Sequence, residues 1–103
     1  MANTSFEHLR VAVTGGTSGL GRALVQELHG RGARVAFVAR TPDRVAALAQ
    51  ALPGSHGIAG DVSVKDDIYP IALQILGELG GLDVLVNNAS DLGPVPLALL
   101  GDT

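Results

Sequence analysis

The stretch Thr14-Gly15-Gly16-Thr17-Ser18-Gly19-Leu20-Gly21 decides how this chain folds. Leu9 to Thr14, just before its glycines, is a short β-rich run and reads as a strand. From Gly19 or Leu20 to about Gly30 the pattern turns helical, with Leu20, Leu24 and Leu28 recurring every fourth residue beside Ala23. Glycines between a strand and a helix let the backbone turn sharply and approach a ligand closely. The helix start offers N–H groups and the positive end of the helix dipole. In that context Gly15, Gly19 and Gly21 point to a pyrophosphate-binding turn, with Thr17 and Ser18 adding hydroxyl donors. The bland alternative is a glycine-rich loop that holds nothing. The run lacks the Gly-Lys-Ser/Thr ending of a P-loop, which disfavours an NTPase.

Working outward, Gly30 and Gly32 close the first helix, and Val35 to Ala39 is an apolar run of strand length. Thr41-Pro42-Asp43 is a helix start, with a capping residue, a proline at the first position and an acid in the first turn. That helix continues through Val45, Ala46, Leu48, Ala49 and Leu52 to Pro53-Gly54. Gly57 to Gly60 is a short third strand. Ser63, with Asp66 three residues on, opens a third helix to about Leu79, and Pro70 inside it predicts a kink or break near Tyr69. Gly80-Gly81 stops that helix, and Leu82 to Asn87 is a fourth strand. Residues 1 to 8 read as a loose leader, and the chain beyond Ser90 as irregular, with a turn of helix expected over Pro96 to Leu100. Strict β-α alternation implies an α/β fold, a doubly wound parallel sheet of the Rossmann-like kind in the order 3-2-1-4. The ligand crevice is then expected between strands 1 and 4 at their carboxyl ends.

The 103 residues suffice for one small domain, taken here as 1–103 and ending after strand 4. Apolar residues are 47% and charged ones 17% of the chain, which argues for a packed core and against disorder. The net charge is −3 with no basic block, so nucleic acid is not an expected partner. The chain has no cysteine, and His8, His29 and His56 lack ligand spacing, so no metal site is expected. Met1 to Glu7 has no apolar core of a secretory signal, and no apolar run approaches the roughly 20 residues of a membrane span. A cytoplasmic protein without a membrane partner is the expectation.

Three further places invite chemistry. Arg40 follows strand 2, where an acid usually holds a ribose 2′-hydroxyl and an arginine a 2′-phosphate. Its guanidinium suits a phosphate, so NADP(H) is favoured over NAD(H), against the alternative of a solvated surface arginine. Asp61-Val62 follows strand 3: the acid either accepts from an adenine amino group while Val62 packs on the ring, or is a turn or capping aspartate. Asn87-Asn88-Ala89-Ser90 ends strand 4, where the amides either tie adjacent strands together or face a ribose.

Together, Thr14 to Gly21, Asp61-Val62, Leu82-Asp83-Val84-Leu85-Val86 and Asn87-Asn88-Ala89 resemble the short-chain dehydrogenase/reductase family, in the family's order, from about Leu9 to Ser90. The resemblance implies that Gly15, Gly16, Thr17, Ser18, Gly19 and Leu20, with Gly21, line the cofactor phosphates. It places Arg40 at the adenosine 2′-phosphate, Asp61 and Val62 at adenine, and Asn88 and Ala89 beside the ribose and the approach to nicotinamide. Ser18 stands where many NADP-preferring members have a basic residue, and Ser90 where the family usually has glycine. The family's catalytic Ser and Tyr-x-x-x-Lys lie beyond strand 4; the one tyrosine, Tyr69, has Leu73 four residues on, so no catalytic residue is assigned. The implied function is the cofactor-binding half of an oxidoreductase moving hydride between NADP(H) and a carbonyl or alcohol. On this reading the 103 residues alone are inactive and meet a small-molecule substrate only in a complete protein. The alternative is a non-catalytic NADP(H)-binding or redox-sensing module. Strand 4, apolar and at the sheet edge, predicts self-association or a complementary half from elsewhere.

Overall fold

Apolar runs too short for helices, each closed by glycine or a polar turn, become the strands of a parallel sheet in a computed structural model that describes residues 6–17 and 19–88. The strands are β1 (Arg10–Thr14), β2 (Arg34–Ala39), β3 (His56–Ala59) and β4 (Val84–Asn87), in the order β3-β2-β1-β4. All three pairings are parallel, with Val11 opposite both Val35 and Val84 and Thr14 opposite both Val38 and Asn87. The helices are α1 (Gly19–Gly30), α2 (Pro42–Ala51) and α3 (Lys65–Leu79). Fold class and strand order are those expected from the sequence.

Successive side chains of a strand point to opposite faces, so a sheet covered on both sides needs apolar residues at every position. Val11, Val13, Val35, Phe37 and Ala39 point to one face and pack with Val25 and Leu28 of α1 and Val45 and Leu48 of α2. Ala12, Ala36, Val38 and Ile58 point to the other, where Ile71, Ile75 and Leu79 of α3 cover them. Phe37 and Leu79 are the largest side chains fully removed from water.

Several local expectations are corrected. The inward stripe of α1 is Gly21, Val25 and Leu28; Leu20 is 74% exposed and Ala23 is also exposed. The helix is rotated by its contact with the preceding turn, described below. Thr41 holds the cap position of α2 with extended backbone, but its hydroxyl makes no capping bond. Ser63 does not open α3: Val64 is the cap residue, and the Ser63 hydroxyl is committed to Asp61. Helix α3 runs unbroken through Pro70, which is exposed, as is Asp66 one turn before it. Ile71, Ile75 and Leu79, all on the C-terminal side of Pro70, hold the helix to the sheet. The leader is not loose throughout, since the Phe6 N–H donates to the Arg31 carbonyl at 2.8 Å and the Arg31 guanidinium lies 5.6 Å from the Phe6 ring centre. The helical turn expected over Pro96 to Leu100 lies outside the described residues.

The outer strand β4 is aligned by Arg10 and Asp83. The Arg10 Nε and NH2 donate to the two carboxylate oxygens of Asp83 at 3.0 and 3.1 Å, and the Arg10 backbone N–H donates to the same carboxylate at 2.9 Å. Such a forked pair fixes geometry as well as charge. The donors, chiefly the Arg10 side chain, hold the Asp83 carboxyl below the usual carboxylate range. A carboxyl whose pKa is lower folded than unfolded stabilises the fold above its unfolded pKa, and that contribution is lost as pH falls through the folded value. Urea unfolding midpoints should therefore drop on acidification below about pH 4. Asp83→Asn is expected to make that drop smaller; an unchanged drop would remove Asp83 as its cause.

Candidate functional site

The carboxyl ends of β1 and β4 converge on Thr14, a polar residue only 6% exposed. Its hydroxyl donates to Asn87 Oδ1 at 2.8 Å and accepts from the Asn88 N–H at 3.0 Å. The Asn88 side-chain amide donates to the Gly15 carbonyl at 3.4 Å. Both asparagines therefore tie strand ends together, one of the two roles the sequence left open. The bonding role of Thr14 was not read from the sequence, although Thr14 heads the glycine run and closes a buried apolar strand.

The turn that follows is built by close approach. The N–H groups of Gly15 and Gly16 both donate to the Val38 carbonyl, at 2.8 and 3.2 Å. A Cβ on Gly16 would lie 2.7 Å from the Phe37 Cβ, and one on Gly21 would run into the Gly15 carbonyl oxygen and come within 2.6 Å of the Asn88 amide nitrogen. Gly19 begins α1 with φ +54°, in the left-handed region that glycine enters without strain. Because Gly21 must face the turn, Val25 and Leu28 face the sheet and Leu20 is turned outward. The glycines thus divide by role. Gly15 and Gly16 commit their N–H groups to β2 and shape the floor. Gly19, Leu20 and Gly21 stand in the first turn of α1, where N–H groups have no partner within the helix and point toward whatever lies beyond it.

Arg40 follows β2 directly and is exposed. Asp61 follows β3, and its Oδ1 accepts from the Ser63 N–H at 2.9 Å and the Ser63 hydroxyl at 2.6 Å. Those two bonds, the hydroxyl's first, hold the Asp61 carboxyl below its usual range, and the positive charge of Arg40 adds to the effect. Oδ1 of Asp61 is thus used as a turn acceptor, while Val62 is half-buried against the α3 side of the core. Ser18 and Ala89 lie outside the described residues. Tyr69 is 79% exposed on α3, which covers the sheet face opposite to α1.

The family model described as short chain dehydrogenase matches residues 10–102. The chain belongs to the short chain dehydrogenase family. Among similar members, glucose 1-dehydrogenase of Gluconobacter oxydans is 38% identical over 96 residues, which are 88% of this chain and 36% of that protein. Carbonyl reductase [NADPH] 2 of Sus scrofa is 38% identical over 86 residues, 84% of this chain and 34% of the other. In structure, the L-sorbose reductase of Gluconobacter frateurii, solved in complex with NADPH and L-sorbose, superposes with a TM-score of 0.76 at 32% identity, covering 86% of this chain and 36% of that one. The chain thus spans about a third of the length of these short chain dehydrogenases. Among the described residues no helix is long and apolar enough to cross a membrane.

Since the nearest atoms at Gly21 are the Gly15 backbone, with the Asn88 amide beside them, the contact leaves little room to yield. Gly21→Ala is expected to lower unfolding free energy by about 1–3 kcal/mol, as overpacking does. Urea titration measures this, and a variant as stable as the parent would show that the turn is not held as described.

Proposed function

We propose that these residues are the cofactor-binding half of an NAD(P)-dependent short-chain oxidoreductase, and that the cofactor is NADP(H). The observation that carries this reading is the unit of Thr14, Gly15, Gly21 and Asn88, which sets the start of α1 against the crevice between β1 and β4. A side chain at position 21 would strike the Gly15 carbonyl and force α1 off the turn, so the glycine keeps the helix start close beside the crevice. The family membership and the NADPH held by the similar sorbose reductase support the choice of ligand.

In this reading the N–H groups of Gly19, Leu20 and Gly21 bind the pyrophosphate at the positive end of α1. Gly15, Gly16, Thr17 and Ser18 shape and line the turn, Arg40 takes the charge of the adenosine 2′-phosphate, and Asp61 and Val62 border the adenine. Asn88 and Ala89 flank the ribose side of the crevice, with the Asn88 amide keeping the Gly15 carbonyl turned away from the phosphates. The bound cofactor supplies or accepts hydride at a carbonyl or alcohol carbon of a small substrate in the complete protein. Orientation and exclusion of water at the phosphates are the work of the residues named here. Tyr69, exposed on α3 with Leu73 four residues on, takes no part in proton transfer. These residues alone therefore bind cofactor without turning it over.

Calorimetric titration of the chain is expected to show tighter binding of NADPH than of NADH. Arg40→Ala should narrow that difference by roughly tenfold, the scale of one charge-assisted contact. The same chain mixed with NADPH and a panel of ketones and aldehydes should show no sustained oxidation. Equal affinities would remove the NADP(H) assignment, and steady turnover would remove the claim that the chain is only a binding half.

We also propose that the free edge of β4 is met by another strand, either from a second copy or from a complementary segment. β4 pairs only with β1 among the described residues, and Val84 and Leu85 remain 38% and 39% exposed beside that edge. Sedimentation velocity across a concentration series should show association. A single monomer boundary at every concentration would count against pairing between copies.

A further inference from the structure

Arg22 and Arg44, both exposed, line one groove of about 500 Å³ between α1 and α2. Thr17 and Gly19 join Arg22 on one wall; Ala47 and Leu48 lie with Arg44 on the other, and among the described residues no acidic side chain lines the groove. Neither arginine makes an ion pair or hydrogen bond among the described residues. Their positions are electrostatically poor in the empty protein. Each lies in the first turns of its helix, where the dipole favours anions and disfavours cations, and the first turn of α1 carries no acid to offset this. Arg40 differs: it is not part of the groove lining, and its charge acts on Asp61.

Two unpaired guanidinium groups facing one groove make a site for a compact dianion, which two planar forks can grip from two sides. The groove opens onto the glycine turn, since Thr17 and Gly19 belong to both. A dinucleotide whose pyrophosphate rests at Gly19 has its adenosine ribose within a few bonds of that point. The occupant of matching charge and position is the phosphomonoester on that ribose.

We infer that Arg22 and Arg44 hold the adenosine 2′-phosphate in the groove between α1 and α2, sharing with Arg40 the discrimination between NADPH and NADH. This rests on the cofactor reading proposed above. Arg40 approaches the phosphate from the β2 side, partly offset by Asp61, while Arg22 and Arg44 face it without a competing acid.

The test is calorimetric titration of the full chain with NADPH and with NADH, for the parent, for Arg44→Ala and for the double variant Arg22→Ala with Arg44→Ala. The double variant is expected to lose NADPH affinity roughly tenfold or more while NADH affinity changes less than about twofold, with the single variant between. Arg44→Lys should recover part of the loss, since it restores charge without the fork. An NADPH preference that the double variant leaves undiminished, or an equal loss for both dinucleotides, overturns the inference and leaves the cofactor site standing. A parent that binds neither dinucleotide overturns the inference and the proposed function together.

Discussion

A buried hydroxyl must find both a donor and an acceptor or bear the cost of leaving water unpaired. Thr14 meets this demand at the one point where two strands, the glycine turn and the end of β4 come together. Its hydrogen atom goes to Asn87 and its lone pair receives the Asn88 N–H. From there the Asn88 amide reaches Gly15, and the Gly15 carbonyl lies so close to Gly21 that no side chain fits between them. The rotation of α1, the outward turn of Leu20 and the direction of the helix start all follow from that sequence of contacts.

The two ends of the sheet are fastened by different physics. At the amino end, Arg10 and Asp83 use an exposed, charge-assisted fork to set the register of β4. At the carboxyl end, neutral, partly buried hydrogen bonds do the same work. The first kind is weakened by acid and salt, while the second is insensitive to both. The carboxyl end of the sheet is therefore built from the less perturbable set, and the charged fork is kept at the opposite end.

Much of the architecture was legible because parallel strands buried on both faces must read as unbroken apolar runs. Val11 to Val13, Val35 to Ala39 and Val84 to Val86 do so, and regular alternation with helices leaves little freedom in strand order. What the sequence did not disclose depends on contacts distant along the chain. The spacing of Leu20, Leu24 and Leu28 describes a stripe of which Leu24 and Leu28 do pack on the core, but the Gly21 contact turns Leu20 outward and brings in Val25. Ser63 has the pattern of a cap and is drawn instead to Asp61, a choice between two local hydrogen bonds of similar worth. Arg22 and Arg44 look like solvated helix positions until α1 and α2 are set side by side. The strand-tying role of the asparagines became definite only with Thr14 opposite them.

The single carbonyl of Val38 accepts from both Gly15 and Gly16, and Val38 is a fully buried residue of β2, between β1 and β3. The floor of the turn is therefore fastened to the interior of the sheet rather than left as a surface loop. Much of the conformational entropy that a flexible glycine loop would surrender on meeting a phosphate has already been surrendered during folding. Association at this turn then resembles docking onto a rigid template, and the flexibility glycine gives the unfolded chain is absent where it would weaken binding.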